Sequence, residues 1–234
     1  RELGDQFGYA AQQVLLFGAA YKALAFLTDF PSKVGEAVAQ LQTFRNTLQA
    51  ITPNANEFQQ SNQFILDTVA KYNTPLQSAR DGFTNLYASM APAGFKGDEI
   101  RNIFSGISQG AATFGMSADK VDRVNYAFAQ MASKGQVMSE ELKGQLGDVL
   151  PGAVAIFAKA AGFTGPNAMV EFTKAMEAGR YKGEAMKQLL INVGIVMKDK
   201  FAKGAEGAAQ NFQGQMNAMA NATKNLYEAF EPAG

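Results

Sequence analysis

Hydrophobic positions recur at helical spacing from one end of the chain to the other. In the first segment Leu3, Phe7, Ala10, Val14, Phe17, Tyr21 and Leu24 alternate steps of four and three, a seam along one helix face. Asp29-Phe30-Pro31-Ser32 interrupts it, and Val34, Val38, Leu41, Phe44, Leu48 and Ile51 line a second helix. Thr52-Pro53-Asn54 precedes a third, with Phe58, Ile65, Val69 and Tyr72. Asn73-Thr74-Pro75 precedes a fourth, with Leu76, Ala79, Phe83, Leu86 and Met90. Each Pro stands where a helix can begin, since its missing N–H costs nothing in the first turn.

From about residue 92 single Gly and Pro residues punctuate shorter helical stretches, which predicts a compact globule. Its expected core comprises Ile100, Ile103, Phe104, Ile107, Phe114, Val121, Val124, Phe128, Met131, Leu142, Leu146, Leu150, Ile156, Phe157, Phe163, Val170, Phe172, Leu189, Leu190 and Val193. No alternating run is long enough for a strand. Within the globule, Gly135 is placed to end one helix in a left-handed conformation. Ser139 is placed to cap the next, with Glu140 and Glu141 in its first turn against the helix dipole. Gly179-Arg180-Tyr181-Lys182-Gly183-Glu184-Ala185-Met186 repeats this design, so the two read as a repeated helix-turn-helix. Pro151-Gly152 marks another turn.

Near the C-terminus Phe212, Met216, Met219, Thr223, Leu226 and Phe230 are spaced four, three, four, three, four, and the frame extends back through Ala209, Ala205 and Ala202. The stripe is as narrow as a coiled-coil seam, which makes it an oligomerisation element or a docking face. The two ends of the chain share this spacing, so they pair with each other or with other chains. The expected fold is all-α: a multi-helix array in which a short-helix globule is flanked by longer amphipathic helices. Residues 1–75 hold N-terminal amphipathic helices, 76–200 the globule, and 201–234 an Ala/Gln-rich helix.

Composition narrows the function mainly by what is missing. Lys and Arg total 21 against 21 Asp and Glu, and this zero balance argues against specific nucleic-acid binding. With no His and no Cys, Ser-His-Asp and Cys-His nucleophilic centres are excluded, as are thiolate and His-bearing zinc sites. The Lys134-to-Leu142 stretch has Gly and Glu spaced as in a calcium-binding EF-hand. The ligand positions before them fall on Gln130, Ala132 and Lys134, so calcium is excluded there. Glu140 or Glu141 with Asp148 would stand about 11 Å apart along one helix, too far for paired glycosidase carboxylates. Neither phosphate-binding glycine motif is present. No catalytic, cofactor or metal site is expected. The apolar run Val14–Leu27 contains Lys22 and falls short of the ~20 residues of a membrane span. A membrane-perturbing or pore-forming helical protein is the alternative reading. A chain opening on Arg1 is expected to belong to something longer.

One stretch carries a family resemblance. Ser78-Ala79-Arg80-Asp81, Gly106-Ile107-Ser108, Met116-Ser117-Ala118, Gln130 through Gly135, Glu140-Glu141-Leu142, Gln145-Leu146-Gly147 and Leu150-Pro151-Gly152-Ala153 together resemble the tape measure domain of tailed-phage and prophage tape measure proteins. The resemblance covers roughly residues 76–200. It implies a virion protein, assembled in the host cytoplasm, that sits in the tail-tube lumen as parallel copies, a trimer or hexamer. There it templates tube polymerisation and sets tail length. It also implies partners in the tail tube, tail tip and tail assembly chaperones, and exit from the tube ahead of the DNA during infection, when the Val14–Leu27 run would make the host membrane a further partner. Some tape measure proteins carry cell-wall hydrolase domains, but without His, Cys or a close carboxylate pair no enzymatic activity is expected of this chain.

Overall fold

A computed structural model describes residues 29–208, 210 and 212–231. Helix α1 covers 29–51. It is followed by α2 (Ala55–Tyr72), α3 (Leu76–Met90), α4 (Gly97–Thr113) and α5 (Ala118–Lys134). After a π-helical turn at Glu140–Leu146 come α6 (Ala153–Ala160), α7 (Ala168–Glu177), α8 (Glu184–Ala208) and α9 (Phe212–Glu228). Among the described residues the fold is all-α, its one extended pairing being an isolated antiparallel bridge between Gln136 and Lys182. The Leu3–Leu24 seam and the Val14–Leu27 run lie outside the described residues. No helix among the described residues is long and apolar enough to cross a membrane.

The chain divides into two compact units, Phe44–Ala222 and a second that includes 29–43 and 223–231, the divisions falling within α1 and α9. In the smaller unit Phe30 meets the rings of Tyr227 and Phe230 edge-on at 5.5 and 5.3 Å, and the Lys224 ammonium donates to Gln40 Oε1 at 2.6 Å.

In the larger unit the helix ends follow from local chemistry. Asn54 accepts the Glu57 N–H at 2.9 Å and caps α2, which Asn73 ends at φ 49°. The core holds two aromatic groups. Phe64, Phe83 and Phe104 pack with centroids 5.4–6.1 Å apart, and Phe128, Phe157, Phe172 and Tyr181 form a chain spaced 5.3–6.4 Å. Each fully buried ring contributes roughly 1.5–3 kcal/mol. Three expected core members differ, Phe163 being only half-buried. Phe114 and Val170 are exposed, because α7 turns only Phe172 and Met176 inward and Phe114 lies just past the end of α4.

α4 and α8 cross at backbone contact. A Cβ on Gly106 would stand 2.7 Å from the Gly194 carbonyl oxygen, and one on Gly194 would stand 2.9 Å from the Ile103 Cα. Any side chain there would push the helices apart.

A polar group joins α2, α3 and α4. The Arg101 guanidinium pairs with Glu57, and the Ser61 hydroxyl donates to Glu57 Oε1 at 3.2 Å. The buried Tyr87 hydroxyl also hydrogen-bonds to that carboxylate. Burial and then the Glu57 charge push Tyr87 up to about 12; the Arg101 charge opposes them, and the hydrogen bond adds a smaller upward effect.

Candidate functional site

The two repeated turns lie against each other. α5 ends at Gly135 with φ 67°, where the Gly135 N–H reaches the Ala132 carbonyl and the Gln136 N–H reaches that of Met131, at 3.1 and 3.2 Å. α7 ends the same way at Gly179 with φ 76°. The chain leaving each turn then pairs with the other: the Val137 N–H donates to the Tyr181 carbonyl at 3.0 Å, and the Gly183 N–H donates to the Gly135 carbonyl at 2.8 Å. Sequence similarity flagged both segments, but pairing across this separation is a tertiary event without a local signal.

Ser139 does not cap the following turn, contrary to expectation. The Met138 carbonyl already accepts the Leu142 N–H at 3.1 Å, so the cap position is one residue earlier. Ser139 is itself helical, with φ −60°, and its hydroxyl has no hydrogen-bond partner. The turn then widens, and the Gly147 N–H reaches the Leu142 carbonyl, five residues back, at 3.0 Å. Glu141 is fully buried in this turn and ion-paired with Lys134, whose pKa is raised chiefly by that hydrogen bond. Pro151 is exposed and Gly152 takes φ 77°, which turns the chain into α6.

α9 reverses the expected polarity. Asn221 is buried. Its amide nitrogen donates to the Thr74 carbonyl at 2.8 Å, and its oxygen accepts the Leu76 N–H at 2.9 Å. Leu76 follows Pro75, which provides no side-chain cap, so Asn221 supplies α3 with the acceptor its first turn lacks. Gly214 is buried on the same face. The seam residues Met216, Met219, Leu226 and Phe230 are instead 46–66% exposed, and Thr223 is exposed too. The Phe212 side chain lies outside the described residues. Of the residues extending the seam backwards, Ala205 is fully buried in α8 and Ala202 is exposed. α8 ends at Ala208 before α9 begins, so the seam is not one continuous helix.

Among the described residues no three His, Cys, Asp or Glu side chains group as metal ligands. Glu141 and Asp148 do not face each other. The first is committed to Lys134, and the second pairs with Arg123 at 3.3 Å.

A probable tape measure protein of Salmonella phage Felix O1 (isolate Felix O1-VT1) is 31% identical over 166 residues, covering 70% of this chain. The chain spans about a fifth (21%) of that relative's length. No solved structure matches significantly. The family described as "Tape measure protein" matches residues 32–231, which takes in every described helix but the start of α1. The chain belongs to the tape measure protein family.

Proposed function

We propose that this chain is a folded structural segment of a phage tail protein, standing in the lumen of the tail tube as three or six parallel copies. There its parent chain templates tube polymerisation and sets tail length. Family membership gives the tail setting, and the folding of the chain supports reading it as a folded segment rather than an extended ruler. One helix of 234 residues would reach roughly 350 Å, whereas the longest helix whose ends are described, α8, has 25 residues and reaches roughly 38 Å. The helices then fold back on one another at turns such as Gly135 and Gly179. The segment is therefore a folded node, and the length standard lies in other parts of the parent. A phage deleted for this segment separates the two roles. Unchanged tail length or aborted assembly supports the node, while shortening in strict proportion to the deleted residues defeats it.

Tube, tip and assembly chaperone are the protein partners of this reading. Contact with the host membrane would come only during ejection. No enzymatic role is assigned, and a muralytic assay should read blank. Copies join through the α9 seam, where Met216 and Leu226 are half exposed. Light scattering tests this: the intact chain should be multimeric and one ending near Gly204 should approach monomer mass. Monomers in both cases would remove the seam from the assembly.

A further inference from the structure

We propose that Asp81 and Asp122, together with the carboxamide of Asn125, form a site for a hard divalent cation in the groove between α3 and α5. The groove is lined by Asp81, Gly82 and Asn85 from α3 and by Asp122, Arg123, Asn125 and Tyr126 from α5. Asp81 and Asn85 are four apart, as are Asp122 and Tyr126, so each helix presents one face to it. Asn125 is 1% exposed, and neither its amide oxygen nor its nitrogen has a hydrogen-bond partner. Leaving a buried amide oxygen unpaired is costly, and a cation at this position would engage it. Gly82 makes the placement possible, since a Cβ there would overlap the Asn125 carboxamide.

Both carboxylates, Asp81 and Asp122, line this groove. Arg123 is the cation in the lining, and it pairs with Asp148 instead. Asp81 accepts from the Gln77 amide at 2.9 Å through one oxygen, which leaves its other oxygen for a ligand. Two carboxylates and the amide oxygens of Asn85 and Asn125 fit the all-oxygen preference of calcium or magnesium. The open groove, about 360 Å³, has room for the waters that complete the shell. With only two charged ligands, affinity should fall in the weak range of about 10⁻⁴–10⁻³ M.

Terbium(III) reports on this site directly, because the chain has no Trp and Tyr126 is the aromatic residue in the lining. Tyrosine-sensitised terbium emission should saturate and be displaced by calcium. Calorimetry with calcium should give the same affinity. Asp81→Asn and Asp122→Asn should each weaken calcium binding about tenfold, while circular dichroism shows unchanged helix. Tyr126→Phe should remove most of the emission and leave calorimetric binding intact. Calcium binding that is absent up to about 10 mM, or equally strong in both Asp→Asn variants, overturns the site. So does terbium emission that survives Tyr126→Phe, since the ion would then sit elsewhere.

Discussion

Asn221→Ala is the most direct test of how α9 is held. The side chain makes two hydrogen bonds at once, donating to Thr74 at 2.8 Å and accepting from Leu76 at 2.9 Å. Truncation removes both and leaves a buried carbonyl and a helix-terminal N–H without partners. Each orphan costs about 1–3 kcal/mol, so the total should be about 2–4 kcal/mol after partial access of water. Asn221→Asp divides the pair. It keeps the acceptor for Leu76, where negative charge also suits the start of α3. It then sets a second oxygen against the Thr74 carbonyl. At pH 7 this variant should be destabilised, and it should recover as the pH falls through the carboxyl's raised pKa, where the protonated oxygen can donate to Thr74. Urea unfolding followed by circular dichroism measures the stability, and hydrogen exchange at the Leu76 amide measures the local consequence. An Asn221→Ala variant within 0.5 kcal/mol of wild type (about the scatter of a neutral surface change), with Leu76 equally protected, refutes the argument.

Three further outcomes follow from other parts of the fold. Gly106→Ala should destabilise by about 1–3 kcal/mol, because the new methyl meets the Gly194 carbonyl oxygen at 2.7 Å, whereas Gly35→Ala, on an open face of α1, should stabilise by about 0.5–1 kcal/mol; equal effects in thermal unfolding would show that α4 and α8 do not touch. Gly135→Val should cost about 1–3 kcal/mol and Gly135→Asn less, since φ 67° strains a β-branched residue most; equal midpoints for the two would assign the glycine another role. Tyr87 has a folded pKa of about 12 against 10.0 for an ordinary tyrosine, so its contribution is intact below pH 10 and lost as pH rises from 10 to 12, about 2–3 kcal/mol in all. Lys134, also raised, adds to this alkaline loss, and Tyr87→Phe should flatten the pH profile over that interval.

Much of this architecture was legible because its punctuation is local. Pro53 and Pro75 stand just before α2 and at the start of α3, and Gly135 and Gly179 end α5 and α7, since fixed φ and tolerance of positive φ act within a few residues. Ser139 shows the limit of such reasoning. By residue type it is a good cap, but the hydrogen bond accepted by Met138 starts the turn one position earlier. The π-helical widening that follows has no spacing signature, because Leu142 and Leu146 are four apart in either helix type. The buried pair of Glu141 with Lys134 and the docking of the two turns depend on which elements meet in space.

The α9 helix shows why periodicity alone could not identify its inner face. Apolar spacing marks a side that loses free energy in water, but it does not name the surface that covers it. The docked side is instead chosen by what α3 lacks: after Pro75 the helix has no side-chain cap, and Leu76 needs an acceptor that a Met or Leu cannot provide. Asn221 meets that need and supplies a donor for Thr74 in the same side chain, so a polar residue determines the orientation of the helix. The apolar residues are then turned outward as a geometric consequence. For an isolated soluble domain this arrangement would be a liability. In the parallel arrangement proposed above, it would fix internal packing with hydrogen bonds while leaving the apolar stripe for a neighbouring copy.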